Sequence, residues 1–389
     1  MSTTEQQITD WLAGQKEAML AMIEAMVNTD SGSYNKPGID AVGAIVGRFM
    51  AGHGIPVETV ARPKHGDCLR AIGRAPAGGG NRSIVLMGHR DTVFPDGEAK
   101  RRPFTIENGL AHGPGVSDMK AGLVMNAFVL AAFQKFGGAP SPMVALFTGD
   151  EEIGSPEGRP VIEAEARNAR VVFNSEPGRV SGNVVSGRKG GVFSHFAIEG
   201  KAAHSGGNFK DGISAIGELA HKVIAIHALT DLDAGITLNV GLVSGGQSVN
   251  TVAPSAEGQI DLRYVDPPQR ARIMQAIEAI IATAHVPGTR ASLTVRGEFL
   301  PLVQTPAARA VLELYQEAAA ETGFRTEGEF TGGCADSGFT AAMGAPTLCG
   351  VGPVGGKAHS PDEFLDVESI VPRAQALART ILRLEQAGL

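Results

Sequence analysis

Three acids, Asp150, Glu151 and Glu152, stand in a row directly after the apolar run "PMVALFTG" at 142–149. Neighbouring carboxylates resist losing water unless positive charge offsets the loss. Their position where a strand should enter a core therefore asks for a cation. Other apolar runs deliver comparable residues. "SIVLMG" (83–88) is followed by His89 and Asp91, "ARVVFN" (169–174) by Glu176, and "PTLCGVG" (346–352) by "PVGGKAHSPDEF", which brings in His359. Asp118 sits in the glycine-rich stretch "HGPGVSDMKAG". A single acid after a strand is ordinarily a turn or cap residue. The joint placement of candidate ligands from five segments points instead to metal.

Two histidines and three carboxylates make a hard-to-borderline donor set that suits zinc, and carboxylate-rich sites also accept cobalt or manganese. One tetrahedral catalytic zinc needs three protein ligands and a water. Five ligands fit two ions that share one carboxylate, with the ions ~3.5–4 Å apart. If the backbone is extended at Glu151 and Glu152, the two side chains point opposite ways. One can then bind metal while the other faces the attacking water as general base.

The elements that must position these residues are legible around them. The four runs read as buried strands, and "DMKAGLVMNAFVLAAFQKF" predicts a helix from about Met119 to Phe136. Buried strands alternating with helices predict an α/β layer with a mostly parallel sheet, whose sites form at the carboxyl ends of the strands. Residues 187–298 read differently. Two strands, "ITLNVGLVSGG" and "AEGQIDLRYV", lie between a helix expected to open at Asp211 and another started by Pro267 and Pro268. With a strand at each end the order is β-α-β-β-α-β, the split two-layer unit. The expected domains are 1–186 with 299–389, and an inserted unit at 187–298.

Length and composition limit the alternatives. At 389 residues two domains are the expectation, and 43% apolar with 19% charged residues fits a globular protein. A net charge of −7 argues against nucleic acid or an acidic membrane as partner. The N-terminal stretch reads as an amphipathic helix without the basic start of a signal peptide, and no window reads as a membrane span. Cys68, Cys334 and Cys349 are too scattered for a disulfide framework or a thiolate cluster. A cytoplasmic location is the expectation.

The motifs "MGHRDTVF", "GPGVSDMKAG", "TGDEEIGS", "NSEP" and "AHSPDEF" resemble, in order, those of the aminoacylase/succinyl-diaminopimelate desuccinylase di-zinc metallopeptidases, with the glutamate carboxypeptidase (carboxypeptidase G type) branch most alike. The resemblance implies a zinc-exopeptidase-like mixed sheet flanked by helices, with an inserted ferredoxin-like lid and dimerisation domain. It implies Asp118 as the bridging ligand, His89 and Glu176 on one zinc, and Glu152 and His359 on the other. Glu151 falls at the general base and Asp91 at the acid that orients His89. A cis peptide after Asp118 is also implied. Within the insertion, His204 of "KAAHSGG", Asn250 of "GGQSVNTVAP" and Arg263 of "IDLRYV" fall at positions that bind the substrate's carboxylate or reacting carbonyl.

The activity so implied is hydrolysis of an amide, releasing a C-terminal, glutamate-like amino acid from an N-acyl amino acid or small peptide-like substrate, by a homodimer. Two features depart from the branch: Leu300 stands where an arginine is expected, and Cys334 where glycine is common. They motivate a deacylase or desuccinylase as alternative. A non-catalytic metal-bound binding protein is the third reading, and the intact Glu151 argues against it. Cys334 as a nucleophile is set aside because the sequence pairs no basic partner with it.

Overall fold

The computed structural model describes residues 2–74 and 80–388. The chain forms two compact units, Met1–Gly187 with Leu302–Thr331 and Ala335–Leu389, and Arg188–Pro301 with Gly332–Cys334. The expected boundaries shift by one residue at the start of the insertion, where Gly187 falls in the first unit, and further at two other places. Phe299 pairs with Gly191 in the second unit's sheet, and Cys334 accepts a hydrogen bond from Arg263 at 2.8 Å. Both segments are therefore held by the insertion rather than by the flanking chain.

The first unit is built on an eight-stranded sheet in the order Val57–Val60, Cys68–Ile72, Met143–Thr148, Ser83–His89, Ala169–Asn174, Thr347–Cys349, Val184–Arg188, Gly328–Thr331. Its four central strands run parallel, while the Cys68–Ile72 and Val57–Val60 pairings are antiparallel. The sheet is thus mixed around a parallel centre. Every residue of Ser83–His89 and of Met143–Thr148 is buried, which is why these strands read as unbroken apolar runs. The outer strands carry polar residues and are short, so periodicity does not reveal them. Nor does it reveal a small second sheet, Gly355–Gly356, Phe364–Asp366, Leu110–His112 and Thr105–Glu107, which anchors the segment carrying His359.

One helix organises this unit. Ala121–Phe136 is buried at every residue from Ala121 to Phe133, as a helix that is apolar all round must be. Contrary to the expectation that no window is long and apolar enough to span a membrane, Val116–Phe136 does reach that length and hydropathy. It is 94% buried in the fold, as a core helix is. The single amphipathic helix expected at the N-terminus is two, Thr4–Ala13 and Lys16–Val27, separated at Gly14.

Two features of the central helix set the strand ends carrying ligands. Asn126 donates to Met87 O at 3.1 Å and accepts from Ser175 Oγ at 2.6 Å, joining the strand before His89 to the residue before Glu176. At Gly122 a Cβ would lie 1.9 Å from the Ser175 carbonyl oxygen, so only glycine lets the helix approach. The turn that precedes the helix, Val116–Lys120, is irregular, and its Asp118–Met119 peptide is cis, as the resemblance implies.

The second unit is a four-stranded antiparallel sheet in the order Thr237–Gly245, Ser255–Tyr264, Gly190–Glu199, Arg290–Phe299. With helices Ala215–His227 and Pro267–Ala282 it has β-α-β-β-α-β order. Alternate residues of Ser255–Tyr264 are buried, with Ile260, Leu262 and Tyr264 in the core formed with Leu219, Ile226 and Ile277. The first helix does not open at Asp211. That residue ends a short 3₁₀ turn, and Ser214 caps the helix by accepting from Gly217 N at 3.0 Å. Asp266 and Gln269 close a capping box on the second helix, which Pro267 and Pro268 begin.

Candidate metal centre

All the ligand candidates lie in the first unit and converge. Asp118 stands between the two histidines: its Oδ1 is 3.3 Å from His89 Nε2 and its Oδ2 is 3.4 Å from His359 Nε2. Around His89 Nε2 also lie Glu176 Oε1 at 3.8 Å and Glu151 Oε2 at 3.8 Å. Around His359 Nε2 lies Glu152 Oε2 at 3.1 Å. Ligand atoms of His89, Asp118 and Glu152 fall within 4.8 Å of one another. The separation of Glu151 and Glu152 does not come from extended backbone. They occupy a 3₁₀ turn, Glu151–Ile153, and each leans toward a different histidine.

Asp91 holds this turn in place. Fully buried, it accepts from Glu151 N and Glu152 N, both at 3.1 Å, and from Ser33 Oγ at 2.7 Å, with His89 Nδ1 3.3 Å from its Oδ1. Asp91 thus orients both consecutive glutamates through its carboxylate, and His89 through its backbone carbonyl oxygen, 3.0 Å from Nδ1. Burial disfavours its charge, but His89, Ser33 and the Glu152 N–H outweigh burial and hold Asp91 below the usual carboxylate range.

Glu363 does the same for Asp118. It is 0% exposed and accepts from Ser117 N and Asp118 N, both at 2.9 Å, and from Gly115 N at 3.1 Å. Sequence reasoning passed over it although it lies within "AHSPDEF", the one signal that could have found it. Ser33 and Asp336 were also missed. Asp336 accepts from Ser155 Oγ just beyond the Glu151–Ile153 turn, and burial pushes its carboxyl up to about 8.

The electrostatics call for positive charge. Burial lifts Glu152 to about 7, and burial together with Glu176 lifts Glu151 well above the usual range. Hydrogen bonds to Asp118 and Glu152 raise His359 to about 10. Burial opposes a charged His89, yet Glu151, Asp118 and Asp91 outweigh it and hold the imidazole well above its ordinary value. Asp118, though buried, is held well below the carboxylate range by the two histidines. Buried His89 Nε2 and Glu152 Oε1 make no hydrogen bond. Imidazole and carboxylate atoms left in this way are a donor set for divalent metal, and the residues present fit it.

The candidates in the second unit form a pair and a single. His204 bridges Thr251, and Ser205 N donates to Asn250 O at 2.9 Å, so His204 and Asn250 share one corner, both exposed. Arg263 stands on the sheet with its fork engaged. Nε and Nη2 donate to Asp261 at 2.7 and 3.0 Å, Nη1 donates to Cys334 Sγ at 2.8 Å, and the guanidinium lies 5.1 Å from the centre of the Phe193 ring. Cys334 therefore does have a basic partner, which the sequence did not show. Burial nevertheless raises the thiol's pKa against the pull of Arg263, so the arrangement does not make a thiolate nucleophile.

A cluster of histidines and carboxylates at the carboxyl ends of parallel strands, with a spare glutamate beside it, defines a metal-dependent hydrolase. The chain belongs to peptidase family M20/M25/M40, whose model matches residues 85–383. It is a hydrolytic enzyme, a metal-dependent peptidase or amidohydrolase. It is 27% identical to carboxypeptidase G2 of Pseudomonas sp. (strain RS-16) over 387 residues, covering 95% of this chain and 90% of that one. It is 28% identical to acetylornithine deacetylase of Pasteurella multocida (strain Pm70), over 79% of this chain and 82% of that one. In fold it matches the crystal structure of aminopeptidase PepT from Bacillus cereus with a TM-score of 0.75 at 22% identity, covering 95% of this chain and 99% of that one.

Proposed function

We propose that this enzyme binds two divalent ions, zinc with cobalt or manganese as alternatives, and releases a C-terminal, glutamate-like amino acid from N-acyl amino acids or small peptide-like substrates, as in the carboxypeptidase G branch. One observation carries the reading: the two oxygens of Asp118 each face a different histidine, 3.3 Å from His89 and 3.4 Å from His359. A carboxylate divided in this way is suited to bridge two metals. His89 and Glu176 would complete one site, Glu152 and His359 the other.

When bound, the metals supply Lewis acidity that polarises the scissile carbonyl and makes water a better nucleophile at neutral pH. The chain's own residues do the rest. Glu151, 7% exposed and lifted above the carboxylate range by burial, accepts the water's proton and returns it to the leaving nitrogen. Asp91 fixes the backbone from which Glu151 and Glu152 project, and Glu363 fixes that of Asp118. Arg263, His204 and Asn250 recognise the substrate's free carboxylate or reacting carbonyl, the planar Arg fork being suited to a carboxylate.

The engagement of Arg263 by Asp261 favours a second reading, a deacylase or desuccinylase that makes less use of a carboxylate on the released amine. Identity to acetylornithine deacetylase supports it equally. A homodimer and a cytoplasmic location complete the proposal. The first is supported by the edge strand Thr237–Gly245, where Leu242 is 63% exposed, and by its neighbouring helix, where Ile224 is 71% exposed.

The test is hydrolysis of N-acyl amino acids and of matched amides lacking the free carboxylate, with metal removed by chelation and restored. Turnover should need metal and the carboxylate, and Glu151→Gln should keep its metal while losing about 10²- to 10⁴-fold in kcat. Indifference to the carboxylate would select the deacylase reading; an unchanged rate in Glu151→Gln would remove the proposed base.

A further inference from the structure

Arg263 projects from the face of Ser255–Tyr264 opposite its core residues Leu262 and Tyr264. A guanidinium offers a ligand its N–H donors in a fixed fork. Asp261 takes two of those of Arg263, from Nε at 2.7 Å and Nη2 at 3.0 Å, and the Cys334 thiol takes a third, from Nη1 at 2.8 Å. Of the five donors two are left for a ligand, one on each terminal nitrogen. Asp261 also sets a negative charge beside the cation. The longer-range pull on a substrate carboxylate is weakened, and the individual hydrogen bonds decide its recognition.

The thiol stands in a built position within the second unit. Arg188, 6% exposed, donates from Nη1 to Gly333 O at 3.2 Å and to Cys334 O at 3.1 Å, which fixes the backbone that carries the sulfur. Behind the sulfur lies Gly191. A Cβ there would stand 2.8 Å from Cys334 Sγ and 3.5 Å from Arg263 Nη1, so glycine leaves the room that the sulfur fills. The Phe193 ring, its centre 5.1 Å from the guanidinium, lies against the same group. The sulfur therefore occupies the place beside Nη1 from which a ligand oxygen would accept. A thiol is only a weak acceptor. Burial raises its pKa, so it stays neutral and holds the N–H less strongly than a carboxylate would. A ligand must nevertheless displace the side chain to reach that donor.

Resting on the reading that Arg263 meets the substrate's free carboxylate, we propose that Cys334 is a positioning residue that sets specificity. Its side chain fills one donor position of Arg263 and weakens the preference for N-acyl amino acids with a free carboxylate over neutral, amidated ones. The substrate class admitted in this way is the carboxamide or ester of an N-acyl amino acid, whose single carbonyl oxygen needs only one of the N–H groups that remain.

The experiment measures one preference: kcat/KM for the N-acyl bond of an N-acyl amino acid, divided by that for the same bond in its carboxamide. It is measured in the zinc-loaded parent, in Cys334→Ala, Cys334→Ser and Arg263→Ala, and in the double variant Cys334→Ala with Arg263→Ala. Calorimetric binding of both compounds to zinc-loaded Glu151→Gln carrying the same substitutions reads recognition without turnover. Cys334→Ala should raise the preference for the carboxylate by about tenfold, the effect of one hydrogen bond between charged partners. Cys334→Ser keeps an acceptor beside Nη1 and should stay within about threefold of the parent. Arg263→Ala should lower the preference, and adding Cys334→Ala to it should change nothing further. An unmoved ratio in Cys334→Ala, an equal rise in Cys334→Ser, or a rise that persists without Arg263 would overturn the proposal while leaving amide hydrolysis intact. A parental ratio in Arg263→Ala would sink the recognition reading and the proposal with it. Absence of turnover on both compounds, with binding ratios moving as expected, would uphold the role of Cys334 and sink the hydrolase reading alone.

Discussion

Replacing Asp91 by asparagine isolates what one buried carboxylate contributes to the centre. Oδ1 receives Glu151 N at 3.1 Å and lies 3.3 Å from His89 Nδ1, while Oδ2 receives Glu152 N at 3.1 Å and Ser33 Oγ at 2.7 Å. Asparagine retains one carbonyl oxygen and puts an NH2 in place of the other. In either orientation one glutamate N–H loses its acceptor and faces a donor. A hydrogen bond to a charged group is worth about 1.5–3 kcal/mol. At about 1.4 kcal/mol per factor of ten, its loss corresponds to roughly 10- to 150-fold. That agrees with the ~10- to 100-fold typical of outer partners of metal-bound histidines. Zinc affinity by competition with a chromophoric chelator, and kcat/KM at saturating zinc, should each fall by an amount in that range for Asp91→Asn. Ser33→Ala removes one donor, leaves the carboxylate charged with its remaining partners and orphans no glutamate N–H, so its cost should lie at the lower end of that range, about 1.5 kcal/mol or roughly tenfold. If Asp91→Asn stayed within threefold of the parent in both quantities, or Ser33→Ala were equally damaging, Asp91 would not be the residue that holds the turn.

Metal uptake should be linked to proton release. His359 is raised to about 10 by hydrogen bonds to Asp118 and Glu152, so at about pH 7.5 binding must displace the proton on that ring, and the upward shift of His89 acts in the same direction. Affinity should therefore strengthen as pH rises toward about 10 and weaken as it falls; calorimetry in buffers of different ionisation enthalpy would show it, and uptake with no proton exchange would contradict the geometry. Leu242→Lys, on the exposed edge strand, should convert a homodimer to a monomer in light scattering; a dimer that survives this change places the interface elsewhere.

The contrast between what was legible and what was not follows from distance along the chain. Strands Ser83–His89 and Met143–Thr148 are buried on both faces, so they stand out as apolar runs, and the ligands lie within or just beyond their ends. The types and spacing of His89, Asp118, Glu151, Glu152, Glu176 and His359 could therefore be read directly, as could the β-α-β-β-α-β order of the insertion. Asp211 was misjudged as a helix start because an acid before a helical pattern looks like a cap wherever it falls, and Ser214, three residues later, serves better. The 3₁₀ turn at Glu151–Ile153 was missed because the amides there bond to Asp91 rather than to a neighbouring strand.

By itself the sequence determined which atoms could bind metal and which elements would carry them, because both depend on residue type and local periodicity. Only the tertiary structure decided how those atoms are held. Ser33 reaches Asp91 across 58 positions, Glu363 reaches the Asp118 turn from 245 residues away, Asp336 meets Ser155 across 181, and Arg263 is engaged by a thiol 71 residues on. Contacts of that range leave no periodic trace in the chain. They form because a buried polar group must find a partner, and the partner is whichever group the packed fold brings within reach.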